Sequence, residues 1–171
     1  MDKKFDVKKL IQISLLIAIE VILTRFCSIQ TPIVRIGFGF LPIAIIAIMY
    51  GPLSGGIAYA LGDFLGMMLF PSGSYFPGFT LTAFLTGIVY GVFLYNKPVT
   101  WSRILCAVLT VCLVLNLGLD TYWLSILMGK GYVALLPTRI MKAALMIPIQ
   151  AIIIGVIWKK VVIRFVKVSH V

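Results

Sequence analysis

The chain has 171 residues, of which 61% are hydrophobic and 12% charged, and it carries a net charge of +10. A water-soluble domain is usually near half apolar and a quarter charged, so an ordinary soluble fold is excluded and a lipid solvent is indicated. A basic chain can also signal nucleic-acid binding, but ten of the fifteen cations flank apolar segments (Lys3, Lys4, Lys8, Lys9, Lys97, Arg103, Lys159, Lys160, Arg164 and Lys167). That is how a membrane protein marks its cytoplasmic side.

Six apolar segments follow in order, at about 10–27, 37–50, 53–70, 78–95, 103–127 and 136–161. A helix needs roughly 20 apolar residues to cross the hydrocarbon core. The chain therefore reads as one all-α integral membrane domain of six transmembrane helices over residues 1–171. The charged start followed by an apolar run has no small-residue cleavage site, so the first segment reads as a retained helix. The second segment is short, which predicts a tilted, kinked or partly spanning helix. Between segments lie "YGPLSGG", "FPSGSYFPG", "YNKPVTWSR" and "MGKGYVALLP", whose Gly and Pro mark loops. The ten flanking cations fall on one side when both termini are cytoplasmic. Arg25, Arg35, Lys130, Arg139 and Lys142 then fall at or near the outer side.

Ionisable and amide groups inside a membrane are costly and usually face a cavity or the bundle interior. Here they are Glu20, Asp63, Asn116, Asp120, Arg139, Lys142 and Gln150. Asn116, Asp120 and Trp123 share a helix face at i, i+4 and i+7. Arg139, Lys142, Met146 and Gln150 share another at i, i+3, i+7 and i+11. These stripes either satisfy one another, Asp120 with Lys142 or Arg139 and Asn116 with Gln150, or line a ligand cavity. The excess of outer cations over Asp120 favours the cavity. Asp63 can bind a ligand ring or tie helices together. Glu20 can pair with Arg25 or with another cation. Two small-xxx-small pairs, Ser14/Ala18 and Gly87/Gly91, can serve internal packing or a partner.

Several chemistries are absent. There is no G-x-x-x-x-G-K-[ST] phosphate loop, and His170 is the sole histidine. Cys27, Cys106 and Cys112 have neither metal spacing nor the pattern of a disulfide framework. The sequence thus points to no enzyme, metal or cofactor. No internal repeat of the kind many secondary transporters carry is detectable.

The segments "SLLIAIEVILTRF", "TPIVRIGFGFLPI", "YGPLSGGIAYALGDFLG", "LFPSGSYFPGFTLTAFLTG" and "LNLGLDTYWLSILMGKG" resemble the substrate-binding S components of energy-coupling factor (ECF) vitamin transporters, from about Lys8 to Lys160. The folate-specific FolT type is the most similar, on "RIGFGFLP" together with "FPSGSYFPGFTLT". The resemblance leads one to expect asparagine at 120, where this chain has aspartate. It implies a multi-pass protein of the bacterial plasma membrane. Such a protein binds folate at the outer face and docks on a transmembrane coupling protein, EcfT, which carries the ATPases EcfA and EcfA′. It then topples to deliver the vitamin inward. Ser14 and Ala18 match the family's docking motif, with Ser in the first slot.

Folate is a flat pterin, an aminobenzoyl ring and a dicarboxylate. Phe38, Phe40, Tyr75, Phe76 and Trp123 can supply aromatic faces. Asn116 and Asp120, and less readily Asp63, can supply hydrogen bonds. Arg25, Arg35, Arg139 and Lys142 can hold the glutamate. In this reading Gly37 and Gly39 are hinges of a gate, Phe38 and Phe40 its apolar lid, and Arg35 a carboxylate clamp; a headgroup-snorkelling Arg35 is the plain alternative. The rival readings are an S component for another vitamin or pterin-like compound, and a non-transporting membrane scaffold that binds a partner.

Overall fold

The protein is represented by a computed structural model that describes residues 7–30, 35–71, 74–97, 100–129 and 131–157, with Gln30 and Arg35 described by backbone alone. Helix α1 (Val7–Arg25) leads into an antiparallel hairpin of β1 (Ser28–Gln30) and β2 (Arg35–Gly37). There follow α2 (Phe40–Tyr50), α3 (Pro52–Leu69) and α4 (Pro77–Leu94). A continuous rod is built next from α5 (Trp101–Leu109), a π-helical stretch (Thr110–Leu119) and α6 (Asp120–Met128), and α7 (Tyr132–Ile157) closes the bundle. The six helical rods match the six apolar segments, with ends shifted by up to four residues at the described boundaries.

Local chemistry places most of these ends. Pro52 and Pro77 open α3 and α4, where the missing N–H would have no helical partner. Gly51, at φ 94°, makes the sharp corner between α2 and α3, and Gly129, at φ 62°, ends α6; both values are left-handed and favour glycine.

Two expectations of the sequence are corrected. The second segment does not begin as helix at 37: Ser28 pairs with Gly37, Ile29 with Ile36 and Gln30 with Arg35 in a hairpin, and α2 starts only at Phe40. The stretch ending in Pro137 is also not a loop, because α7 begins at Tyr132 and contains both Pro137 and Pro148. Proline is tolerated inside membrane helices because neighbouring groups and local adjustments satisfy the freed backbone.

Three helical rods among the described residues are long and apolar enough to cross a membrane: Pro77–Leu94, Trp101–Met128 and Tyr132–Ile157. At 11 residues, α2 spans only about 16 Å, about half the hydrocarbon thickness. It survives as a short helix because it is wrapped by protein: Ile43, Ile46 and Ala47 are fully buried. The outward faces of the long helices carry Val92, Leu113, Val114, Ile140, Met141, Leu145 and Ile152, all exposed. So wide an apolar surface suits lipid rather than water.

The tightest contact joins α3 to α4. A Cβ on Gly87 would collide with the backbone at Gly55 and Gly56, and one on Gly91 would collide with Pro52. The Gly87/Gly91 pair is therefore spent on internal packing. On the other side of α4, Tyr90 is fully buried and donates to Gln150 Oε1 of α7 at 3.1 Å, an oxygen that also faces Cys112 Sγ at 3.5 Å. Gln150 is thus tied to Tyr90 and Cys112, which are the partners the structure gives it in place of Asn116.

Candidate ligand site

The polar stripes predicted on the fifth and sixth segments come together at the hairpin end of the bundle. On α7, Arg139, Met146 and Gln150 are buried and Lys142 is half-buried, which is the inward face that the spacing requires. Opposite them the rod is π-helical. The wider turn frees backbone carbonyls, and hydroxyls take them up: Tyr132 donates to Leu117 O at 3.1 Å and Thr121 Oγ1 lies 3.4 Å from Asn116 O. Such π segments often sit at functional sites.

Between this stretch and α7 lies a narrow cleft, with room for about one water, lined by Cys112, Asn116, Leu117, Arg139, Lys142, Ala143 and Met146. Asp120 stands one turn beyond Asn116, and the cations facing its carboxylate are Lys142 and Arg139, with Thr82 of α4 alongside. The set combines two cations, one carboxylate and one amide. Arg139 is only 6% exposed, and its Nε has no hydrogen-bond partner among the described residues. The indole Nε1 of Trp123 is likewise buried and without a partner. Orphaned donors of this kind call for an acceptor supplied from outside the chain.

An aromatic group flanks the cleft. The ring of Trp123 lies 5.6 Å from that of Phe76 and 5.2 Å from that of Tyr122. Gly78, at the start of α4, makes room for it: a Cβ there would lie 2.5 Å from the indole and 2.6 Å from Phe76.

The remaining candidates are arranged otherwise. Asp63 accepts a hydrogen bond from Thr80 at 2.8 Å, and Thr80 also reaches the Tyr75 hydroxyl at 3.2 Å. Asp63 therefore ties α3 to α4 beside the site. Arg25 lies against Gly66 of α3 and Glu20, 1% exposed, against Gly62 and Gly39, with Thr24 donating to Glu20 at 2.7 Å. Arg25 is not among the residues lining the cleft; it belongs to a polar seam between α1 and α3. Arg35 lies on β2, and its side chain falls outside the described residues.

The gate reading is altered by packing. A Cβ on Gly37 would sit 2.7 Å from that of Ser28, and one on Gly39 would collide with Thr24. Gly39 has an ordinary helical φ of −60°, so both glycines are required by close approach rather than by flexibility. Phe40 is buried in the core and Phe38 is half-exposed, their rings 6.5 Å apart.

Sequence reading did not single out Cys112, Leu117, Ala143 or Thr82 as site residues. Cys112 lies four residues before Asn116 and Ala143 four after Arg139, so face arithmetic carried one step further reaches both. The π stretch has no comparable sequence signal.

Ser14 and Ala18 are exposed on α1, amid the exposed side chains of Leu10, Ile11, Leu15, Ile19 and Ile22. Among the described residues nothing covers that face.

Comparison with known proteins gives concordant results. Residues 8–158 match the family model described as ECF transporter, substrate-specific component. The chain is 52% identical over 159 residues to the folate transporter FolT of Clostridium novyi (strain NT), covering 93% of this chain and 91% of that protein. It is 29% identical over 153 residues to the folate transporter FolT of Leuconostoc mesenteroides subsp. mesenteroides, covering 86% and 82%. A solved structure titled as FolT bound with folic acid superposes with a TM-score of 0.86 at 39% identity, over 90% of this chain and 93% of that one.

Proposed function

Since the chain belongs to the family of ECF transporter substrate-specific components, a family of membrane transport proteins rather than enzymes, we propose that it captures folate and hands it to an ATP-driven module for import. The observation that carries the reading is the fold shared over nine-tenths of the chain with a FolT bound with folic acid. The cleft with its two cations and orphaned donors supports it.

The parts divide by chemistry. Trp123 and Phe76 offer the flat aromatic surface that a fused ring needs. Arg35, carried on the hairpin, is the clamp for the glutamate carboxylates, because guanidinium binds carboxylate in bidentate fashion. Arg25 serves from the α1–α3 seam as a second attracting charge. Asp63 holds Tyr75 and Thr80 in place at the rim.

Both termini are cytoplasmic in this reading, which puts the hairpin and the cleft at the outer face of a bacterial plasma membrane. The positive-inside distribution supports that orientation. The chain lacks a phosphate loop, so ATP is hydrolysed by EcfA and EcfA′, and EcfT receives the exposed Ser14/Ala18 face of α1. The whole chain acts as a single six-helix domain.

Isothermal titration of the detergent-purified protein with folate and reduced folates tests the ligand. The expected result is one-to-one binding well below micromolar concentration. Absence of binding at micromolar concentration would remove folate, and a panel of other vitamins and pterins would then be the next measurement.

A further inference from the structure

Resting on the folate reading and on Arg35 as the clamp for its glutamate, we propose that Glu20 and Thr24 are positioning residues. From α1 they seat the strand that carries Arg35, and so set how firmly the glutamate tail is held without touching it. Glu20, Thr24 and Ser28 follow one another at intervals of four along α1 and into β1. Thr24 Oγ1 donates to Glu20 Oε1 at 2.7 Å, and the Ser28 hydroxyl donates to Thr24 O at 2.6 Å. Ser28 pairs with Gly37 across the hairpin, where a Cβ on Gly37 would lie 2.7 Å from that of Ser28. Gly39 is pressed so closely on Thr24 that a Cβ there would overlap the hydroxyl, and it would lie 3.1 Å from Glu20 Oε1. The end of β2 and the entry to α2 therefore both rest on α1, just after Arg35.

The end of α1 is in turn held by α3. Glu20 Oε2 fills the space that a Cβ on Gly62 would take, and Arg25 Nε lies 2.9 Å from where one on Gly66 would be. The ring of Phe26 meets that of Phe70 edge-on at 5.1 Å. An ionisable group inside a membrane is costly and usually serves function, and Glu20 is 1% exposed. Leucine would fill such a place without that cost. What the carboxyl group adds is a directed acceptor for Thr24, which fixes the hydroxyl against which Gly39 rests. A binding group held by locked neighbours keeps its productive geometry, and one with loose support does not.

The experiment is a double-mutant cycle, read by titration of the full chain in detergent with folic acid and with pteroic acid, which lacks the glutamate. Thr24→Val keeps the volume and removes the hydroxyl. It should weaken folic acid by about tenfold and pteroic acid by less than about twofold. Glu20→Leu, which takes the acceptor away, should do the same, whereas Thr24→Ser, which keeps the hydroxyl, should restore folic acid binding. Arg35→Ala should weaken folic acid by about tenfold or more, and adding Thr24→Val to it should cost nothing further, because Thr24 acts through Arg35. Gly39→Ala enters the same contact from the other side and decides the matter with the same two ligands if Thr24→Val does not fold. Equal losses for the two ligands, losses that add in the double variant, or Arg35→Ala without effect would each overturn the positioning role. Failure of folic acid to bind the wild type at all would instead overturn the folate reading beneath it.

Discussion

Two pairs of small residues on this chain have the same spacing and opposite fates. Gly87 and Gly91 on α4 are sealed against Gly55 and Pro52, whereas Ser14 and Ala18 on α1 lie exposed beside Leu15, which is 61% exposed. The motif states only that a backbone can be approached closely. Whether this chain or another makes the approach is a property of the bundle. The difference teaches that α3 and α4 are closed against each other, while α1 keeps one face in reserve.

The comparison can be broken most directly at Gly87. Leucine there would drive a side chain into the α3 backbone, which cannot yield as a side-chain tip can. Overpacking costs typically about 1–3 kcal/mol and more against backbone. We expect Gly87→Leu to yield little monodisperse protein after detergent extraction, with a sharply lowered Tm by tryptophan fluorescence. A variant that melts like the wild type would refute the sealed interface.

The matching change on α1 should leave folding alone. Ser14→Leu with Ala18→Leu is expected to keep the wild-type Tm and to keep folate affinity within about twofold, since exposed substitutions usually shift stability by less than ~0.5 kcal/mol. Co-purification with EcfT and the ATPases, and ATP-dependent folate uptake into proteoliposomes, should fall about tenfold or more. Uptake at the wild-type level would return this face to plain lipid contact.

Gly78 extends the comparison to the site, being a third glycine spent on a close approach, here to Trp123 and Phe76. Gly78→Ala would put a Cβ 2.5 Å from the indole and should displace that ring by the better part of an ångström. We expect a modest loss of Tm and a weakening of folate of about tenfold, as misplacement of a positioned group weakens every bond it makes. Unchanged affinity would show that the Trp123–Phe76 pair does not touch the ligand.

Much of the fold was legible because the bilayer leaves few choices. Backbone groups must be satisfied within helices, so six apolar runs became six rods, and the i, i+3, i+7 spacing of Arg139, Lys142 and Met146 correctly marked the inward face of α7. The hairpin was not legible, because Ser28–Gln30 and Arg35–Gly37 are three residues each, too short to show alternation. Pro137 misled for a physical reason: proline breaks helices in water, and in this bundle it sits inside one. Cys112 was not singled out because nothing in its identity separates a core wall from a cleft wall. The place of Arg25 was not legible either: packing sets it against Gly66, in the seam between α1 and α3.

By itself the sequence determined the solvent, the number of rods and the residues that had to face inward, since each follows from hydropathy, charge and helical period. The tertiary structure decided which inward faces meet. It put the widened turn of Thr110–Leu119 opposite α7, and among the described residues Arg139 and Trp123 keep buried donors without partners. It spent one pair of small residues and left the other open. Those outcomes depend on how rods fill space against one another, and close packing is a property of the assembled bundle that no single segment carries.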